Sequence, residues 1–94
     1  MSQIITENTE SWRIEGELSF QTANDVLTEF LQKRQVQTPK VIDLKAITRT
    51  DSAGLALLIE LMRQVPDNTL EFRNIPVQML SIAKISGVEE LLQR

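Results

Sequence analysis

The sequence contains no cysteine and no histidine. Without thiols there is no disulfide framework and no thiolate nucleophile. Without imidazole the chain lacks the side chain best suited to proton transfer near neutral pH, which is also the commonest metal ligand. Ser-His-Asp and Cys-His triads are excluded with it, as are zinc sites built on His or Cys. Carboxylates, Lys, Arg and Ser remain for catalysis, and no acid pair of defined geometry stands out among them. The expectation is a protein that is not an enzyme and holds no cofactor and no metal. Basic runs are missing as well: the ten Lys and Arg are scattered, the longest run is Lys33-Arg34, and the formal net charge is -3. Nucleic acid and anionic membrane surfaces are therefore poor candidates for the main ligand. Met1 to Asn8 has neither a basic start nor a long apolar stretch, so it does not read as a signal peptide. The longest apolar run covers about ten residues if Gly54 and Glu60 are allowed, against about twenty for a membrane span. A soluble, intracellular protein is expected.

What is present fits one domain over residues 1–94, with 41% hydrophobic residues to build a modest core. Such a small domain is only marginally stabilised by burial, so a partner can matter to its stability. Trp12, Ile14 and Leu18 alternate with Arg13, Glu15 and Glu17, the period of a strand with one buried face. Ile4 and Ile5 begin a preceding strand, paired through a turn near Glu7-Asn8-Thr9. Ala23, Val26, Leu27, Phe30 and Leu31 have helical spacing over residues 22–34, and Thr22 with Asp25 has the form of a capping box. Pro39 stops any continuation. Lys40 to Leu44 reads as a short strand buried on both faces. A helix from about Ala53 to Val65 ends near Pro66-Asp67-Asn68. Thr69 to Arg73 alternates as a strand, Pro76 opens another helix, Gly87 closes it, and Val88 to Leu92 adds a helical turn. The order β-β-α-β-α-β-α-α implies an α/β fold. A mixed four-stranded sheet packs with about four helices, its parallel part made by right-handed crossovers.

The most informative segment is Thr50-Asp51-Ser52-Ala53-Gly54, which follows Val41-Ile42-Asp43-Leu44 and opens the most apolar helix. A hydroxyl and a carboxylate thereby meet at a helix N-terminus, where free backbone N–H groups collect. The place suits a phosphate, a charged group of a partner, or a plain cap. On a helical wheel Leu55, Leu58, Ile59 and Met62 form the stripe toward the core, while Leu57 and Leu61 fall on the other side with Ala53, Glu60 and Gln64. Either another helix of the chain covers that second face or a partner does. The expectation is a partner, with Leu57 and Leu61 supplying apolar area. On that expectation Leu57→Asp loses the partner and leaves the domain folded. Small Ala53, Gly54 and Ala56 would let another backbone approach closely. Trp12 reads as core, and Asp43 as a residue that orients the turn after it.

Together these segments resemble the STAS domains of anti-sigma-factor antagonists and sulfate transporters. Those domains share an aliphatic-Asp-Leu strand followed by Asp-(Ser/Thr)-x-Gly-Leu at this spacing, here Ile42-Asp43-Leu44 and Asp51-Ser52-Ala53-Gly54-Leu55. Gly16-Glu17-Leu18 resembles the start of an earlier Gly-Glu-Leu-Asp segment, and Ile85-Ser86-Gly87-Val88 a late turn. Two branches of the family compete. In one, the domain is a small cytoplasmic subunit that binds and stabilises the ATPase of the phospholipid ABC transporter maintaining outer-membrane lipid asymmetry. The run Gly54-Leu55-Ala56-Leu57-Leu58 is closer to that branch. The resemblance implies contacts to the ATPase from Thr50, Asp51, Ser52 and Ala53, with Ser19 and Phe20 on the same edge. The permease would be reached through the ATPase, and the domain would lie peripheral to the inner membrane. In the other branch Ser52 occupies the position of a phosphoacceptor that switches partner binding. Ser19 stands where the family pattern has Asp, so no role of that carboxylate carries over.

Overall fold

The expected alternation forms a sheet. In a computed structural model of the chain, which describes residues 2–65 and 69–92, the strands are β1 (Ser2–Thr6), β2 (Ser11–Leu18), β3 (Val41–Asp43), β4 (Ile47–Thr50) and β5 (Glu71–Arg73). The helices are α1 (Ala23–Arg34), α2 (Ser52–Gln64), α3 (Val77–Ile85) and α4 (Glu89–Leu92). The turn expected at Pro66-Asp67-Asn68 lies outside the described residues.

The sheet is mixed, in the order β1-β2-β3-β5, with β4 also paired to β2. β1 runs antiparallel to β2, with Ile4 opposite Ile14, and the other pairs are parallel. β2 carries β3 against its first half and β4 against its second, with a register shift between Gly16 and Glu17. Gly16 has φ 94°, a conformation that an L side chain rarely adopts, and it lets β2 bend between its two partners. β4 is the strand that the pattern reading lacked. Ile47-Thr48-Arg49-Thr50 has no apolar alternation, and Thr48 and Arg49 are exposed. The α/β class and the order of the remaining elements are as expected.

One face of the sheet is apolar. Ile4, Trp12, Ile14, Leu18, Ile42, Leu44 and Phe72 join Val26 and Phe30 of α1, Leu55 and Leu58 of α2, and Met79 and Ala83 of α3 in one core. Trp12 is core as expected and meets Phe30 edge-on, with ring centroids 5.5 Å apart. The other face carries charges: Arg13 pairs with Glu15 at 2.8 Å, and Arg49 with Glu17 at 3.3 Å. β3 is accordingly not buried on both faces. Ile42 and Leu44 are buried while Val41 and Asp43 are half-exposed. Asp43 does orient the turn after it, accepting from Lys45 N–H at 2.8 Å and from Asn74 Nδ2 at 3.0 Å.

Candidate functional site

Two loops meet where β2 and β4 end. The first is Ser19 to Thr22, between β2 and α1. The Ser19 carbonyl accepts the N–H of Thr22 and of Ala23, at 3.0 and 2.8 Å, which closes a tight turn. Thr22 does not form the expected capping box: its hydroxyl faces back into this turn. It accepts the Ser19 N–H at 3.0 Å and donates to the Glu17 carbonyl at 2.8 Å. A turn locked from inside in this way holds Phe20 outward, with 83% of its surface exposed.

The second loop is the Thr50-Asp51 step into α2. Asp51 is the N-cap: Oδ1 accepts the N–H of Ala53 at 2.9 Å and of Gly54 at 3.3 Å. Its other oxygen, Oδ2, accepts the Phe20 N–H at 3.2 Å and so ties the two loops together. These bonds hold the Asp51 carboxyl below its ordinary value. The Phe20 N–H has the largest effect, burial works against it, and the Gly54 and Ala53 N–H groups and the Arg49 charge add to it. Of the three roles open to this helix start, Asp51 therefore takes the cap. The N–H groups of Ala53 and Gly54 are already engaged, so an incoming anion would compete with a carboxylate for them.

Gly54 explains how the helix sits so close. A Cβ there would stand 2.3 Å from Thr50 Oγ1 and 2.4 Å from the Leu18 carbonyl oxygen. The close approach expected at the small residues is thus made by the chain's own backbone, at the end of β2.

The expected contact residues divide into two groups. Phe20 and Ser52 are exposed, and Asp51 and Ala53 are half-buried beside them. Thr50 and Ser19 are buried and support the edge from within. Leu57 and Leu61 require correction. They are 5% and 0% exposed and belong to the core, so they offer no apolar area to a partner. The physical reason is that α2 sits between α1 and α3 and contacts both, so its own chain covers the second face. The outward stripe of α2 is Ser52, Ala56 and Arg63, with Ile59 and Glu60 half-buried alongside.

Glu15 and Asp43 line a cavity of about 450 Å³ on the charged face with Arg13, Lys45 and Ala46, but Glu15 is paired to Arg13 and Asp43 to Asn74. Among the described residues no cluster of acidic side chains could hold a metal ion, and no helix is long and apolar enough to cross a membrane.

Residues 2–93 match the model of the family described as "Mlab, STAS domain". Several solved structures share the fold. The anti-sigma factor antagonist SpoIIAA in its unphosphorylated form is 16% identical, with TM-score 0.74 over 98% of this chain and 85% of that one. An anti-sigma factor antagonist from Mycobacterium paratuberculosis is 16% identical, with TM-score 0.70 over 98% and 81%. A sulfate transporter family protein from Wolinella succinogenes is 19% identical, with TM-score 0.63 over 96% and 75%. No curated protein matches the sequence.

Proposed function

The chain belongs to the STAS-domain family, and on that premise we propose that it is a non-enzymatic subunit that binds and stabilises or regulates the ATPase of a phospholipid ABC transporter. In this reading residues 1–94 act as one domain on the cytoplasmic side of the inner membrane. The domain reaches the permease through the ATPase, and the transporter maintains outer-membrane lipid asymmetry. The observation that carries the reading is the outward edge at the start of α2. An exposed aromatic, Phe20, is pinned by its backbone to Asp51 beside an exposed hydroxyl, Ser52. Aromatic side chains held rigidly at a surface are efficient anchors for a protein partner. Ala56 and Ile59 extend the edge along α2 with little conformational entropy to lose on contact. The whole-length family match supports the transporter branch, as does the Gly54-Leu55-Ala56-Leu57-Leu58 run.

The second reading is an anti-sigma-factor antagonist switched by phosphorylation of Ser52. Its support is that Ser52 is exposed and that two neighbours in fold carry that description. Asp51 bears on how such a switch would act: a phosphoryl group on Ser52 would meet that carboxylate at the edge of the contact, where repulsion opposes partner binding. Affinity purification of the tagged chain from its native cell, followed by mass spectrometry of the partners and of Ser52, separates the two. The transporter reading expects an ABC ATPase and permease with unmodified Ser52. A serine kinase or sigma regulator recovered together with phosphorylated Ser52 would replace it with the second.

A further inference from the structure

The two ends of the sheet are closed in different ways. β5, at one end, is three residues long and places Glu71 and Arg73 on its exposed positions, paired to each other. Short length and charge are common means of keeping an edge from recruiting another strand. β1, at the other end, has neither protection. Ser2-Gln3-Ile4-Ile5-Thr6 carries no charge and no proline, and its β-branched residues favour extended pairing.

The direction of its hydrogen bonds is set. Glu7 N–H bonds the Ser11 carbonyl at 3.0 Å, which fixes the alternation. Gln3 and Ile5 therefore face β2, and Ser2, Ile4 and Thr6 turn their N–H and C=O groups outward. Outside Ile4 stands the carboxylate of Glu29, from α1, whose Oε1 accepts the Ile4 N–H at 3.0 Å. That is the distance at which a neighbouring strand would place a carbonyl oxygen. Glu29 thus fills the central outward position of an edge that no strand among the described residues pairs with, and its charge repels an arriving carbonyl.

We propose that β1 is a strand-addition edge held shut by Glu29, and that its occupant once Glu29 is withdrawn is the β1 of a second copy of this chain. The edge is self-complementary. An antiparallel pair with its two-fold axis at Ile4 sets Ile4 against Ile4 of the other copy and Ser2 against Thr6. Every outward residue then meets an outward residue, and each outward N–H meets a carbonyl. None of the residues involved belongs to the Phe20–Ser52 edge, so the inference does not depend on the proposed function.

The test is the mass of the purified full chain by sedimentation equilibrium, from micromolar to millimolar concentration. Wild type and Glu29→Gln, which keeps an acceptor oxygen, should remain monomers. Glu29→Ala should approach twice the monomer mass as concentration rises. Adding Thr6→Pro to Glu29→Ala removes one outward N–H at an exposed edge position that tolerates proline, and should return the chain to a monomer. At dilute concentration the Ile4 amide should exchange at least about tenfold faster in Glu29→Ala than in wild type. If Glu29→Ala does not fold, Glu29→Ser, which is uncharged and too short to reach the Ile4 N–H, replaces it. A folded release variant that stays monomeric at every concentration overturns the proposal. So does association that persists with Thr6→Pro.

Discussion

The two sides of α2 have opposite fates. Leu55, Leu57, Leu58 and Leu61 occupy one side and are all buried, closed in by the sheet, α1 and α3. Ser52, Ala56 and Arg63 occupy the other and remain exposed. In a helix this apolar, the side left at the surface is marked by small and polar residues, because the large aliphatic ones are consumed by the core. The aromatic of the exposed edge comes instead from another element, the Ser19–Thr22 turn, and Asp51 brings it into place.

Leu57→Asp breaks that comparison most forcefully. Placing a carboxylate in the core leaves a charge without solvent or partner, a loss of roughly 4 kcal/mol or more. The variant should be unfolded by circular dichroism at room temperature. A folded Leu57→Asp domain would return that side of α2 to the surface.

Gly54→Ala comes next, because its Cβ would collide with the Leu18 carbonyl and the Thr50 hydroxyl. One extra methyl group in so tight a place should cost about 1–3 kcal/mol in chemical denaturation. It should also push the start of α2 away from Phe20, weakening the partner in parallel. A variant as stable as wild type would mean that the helix can shift without loss.

Asp51 sharpens the comparison at lower cost. Asp51→Ala should lose about 1 kcal/mol as a missing cap. Asp51 titrates below its ordinary value of 3.8, so the stability it contributes is complete above that value. It is lost as pH falls through the lowered one. Asp43 is lowered as well: burial there raises its pKa, but the Asn74 and Lys45 hydrogen bonds and the Lys45 and Arg13 charges prevail. The acid limb of the stability profile should therefore flatten only in part in Asp51→Asn, and further when Asp43→Asn is added. An unchanged acid limb in the double variant would deny both carboxylates that role.

Much of the fold was legible because burial on one face leaves a period in the sequence. β2 and α1 show it plainly, in Trp12, Ile14 and Leu18 and in Val26 and Phe30. β4 was not legible, since it earns its place through backbone pairing to β2 rather than through apolar side chains. The cap at Asp51 could be read from the residue type and position alone. Its second bond, to Phe20 thirty-one positions away, could not, because nothing local encodes which loop the other carboxylate oxygen will meet. Leu57 and Leu61 were misplaced for a related reason. A wheel records which residues share a side of a helix, but not how many neighbours the fold will press against it.

The smallest structural effects belong to the exposed edge, and there the central claim is tested. Phe20→Ala and Ser52→Ala should change stability by less than about 0.5 kcal/mol, since neither side chain is buried. The decisive measurement is the affinity of Phe20→Asp for the ATPase recovered with the wild-type chain, read by calorimetry beside a melting curve of the isolated variant. Binding should be at least about tenfold weaker with the melting temperature unchanged. Wild-type affinity in a folded Phe20→Asp variant would contradict that expectation and move the partner to another surface.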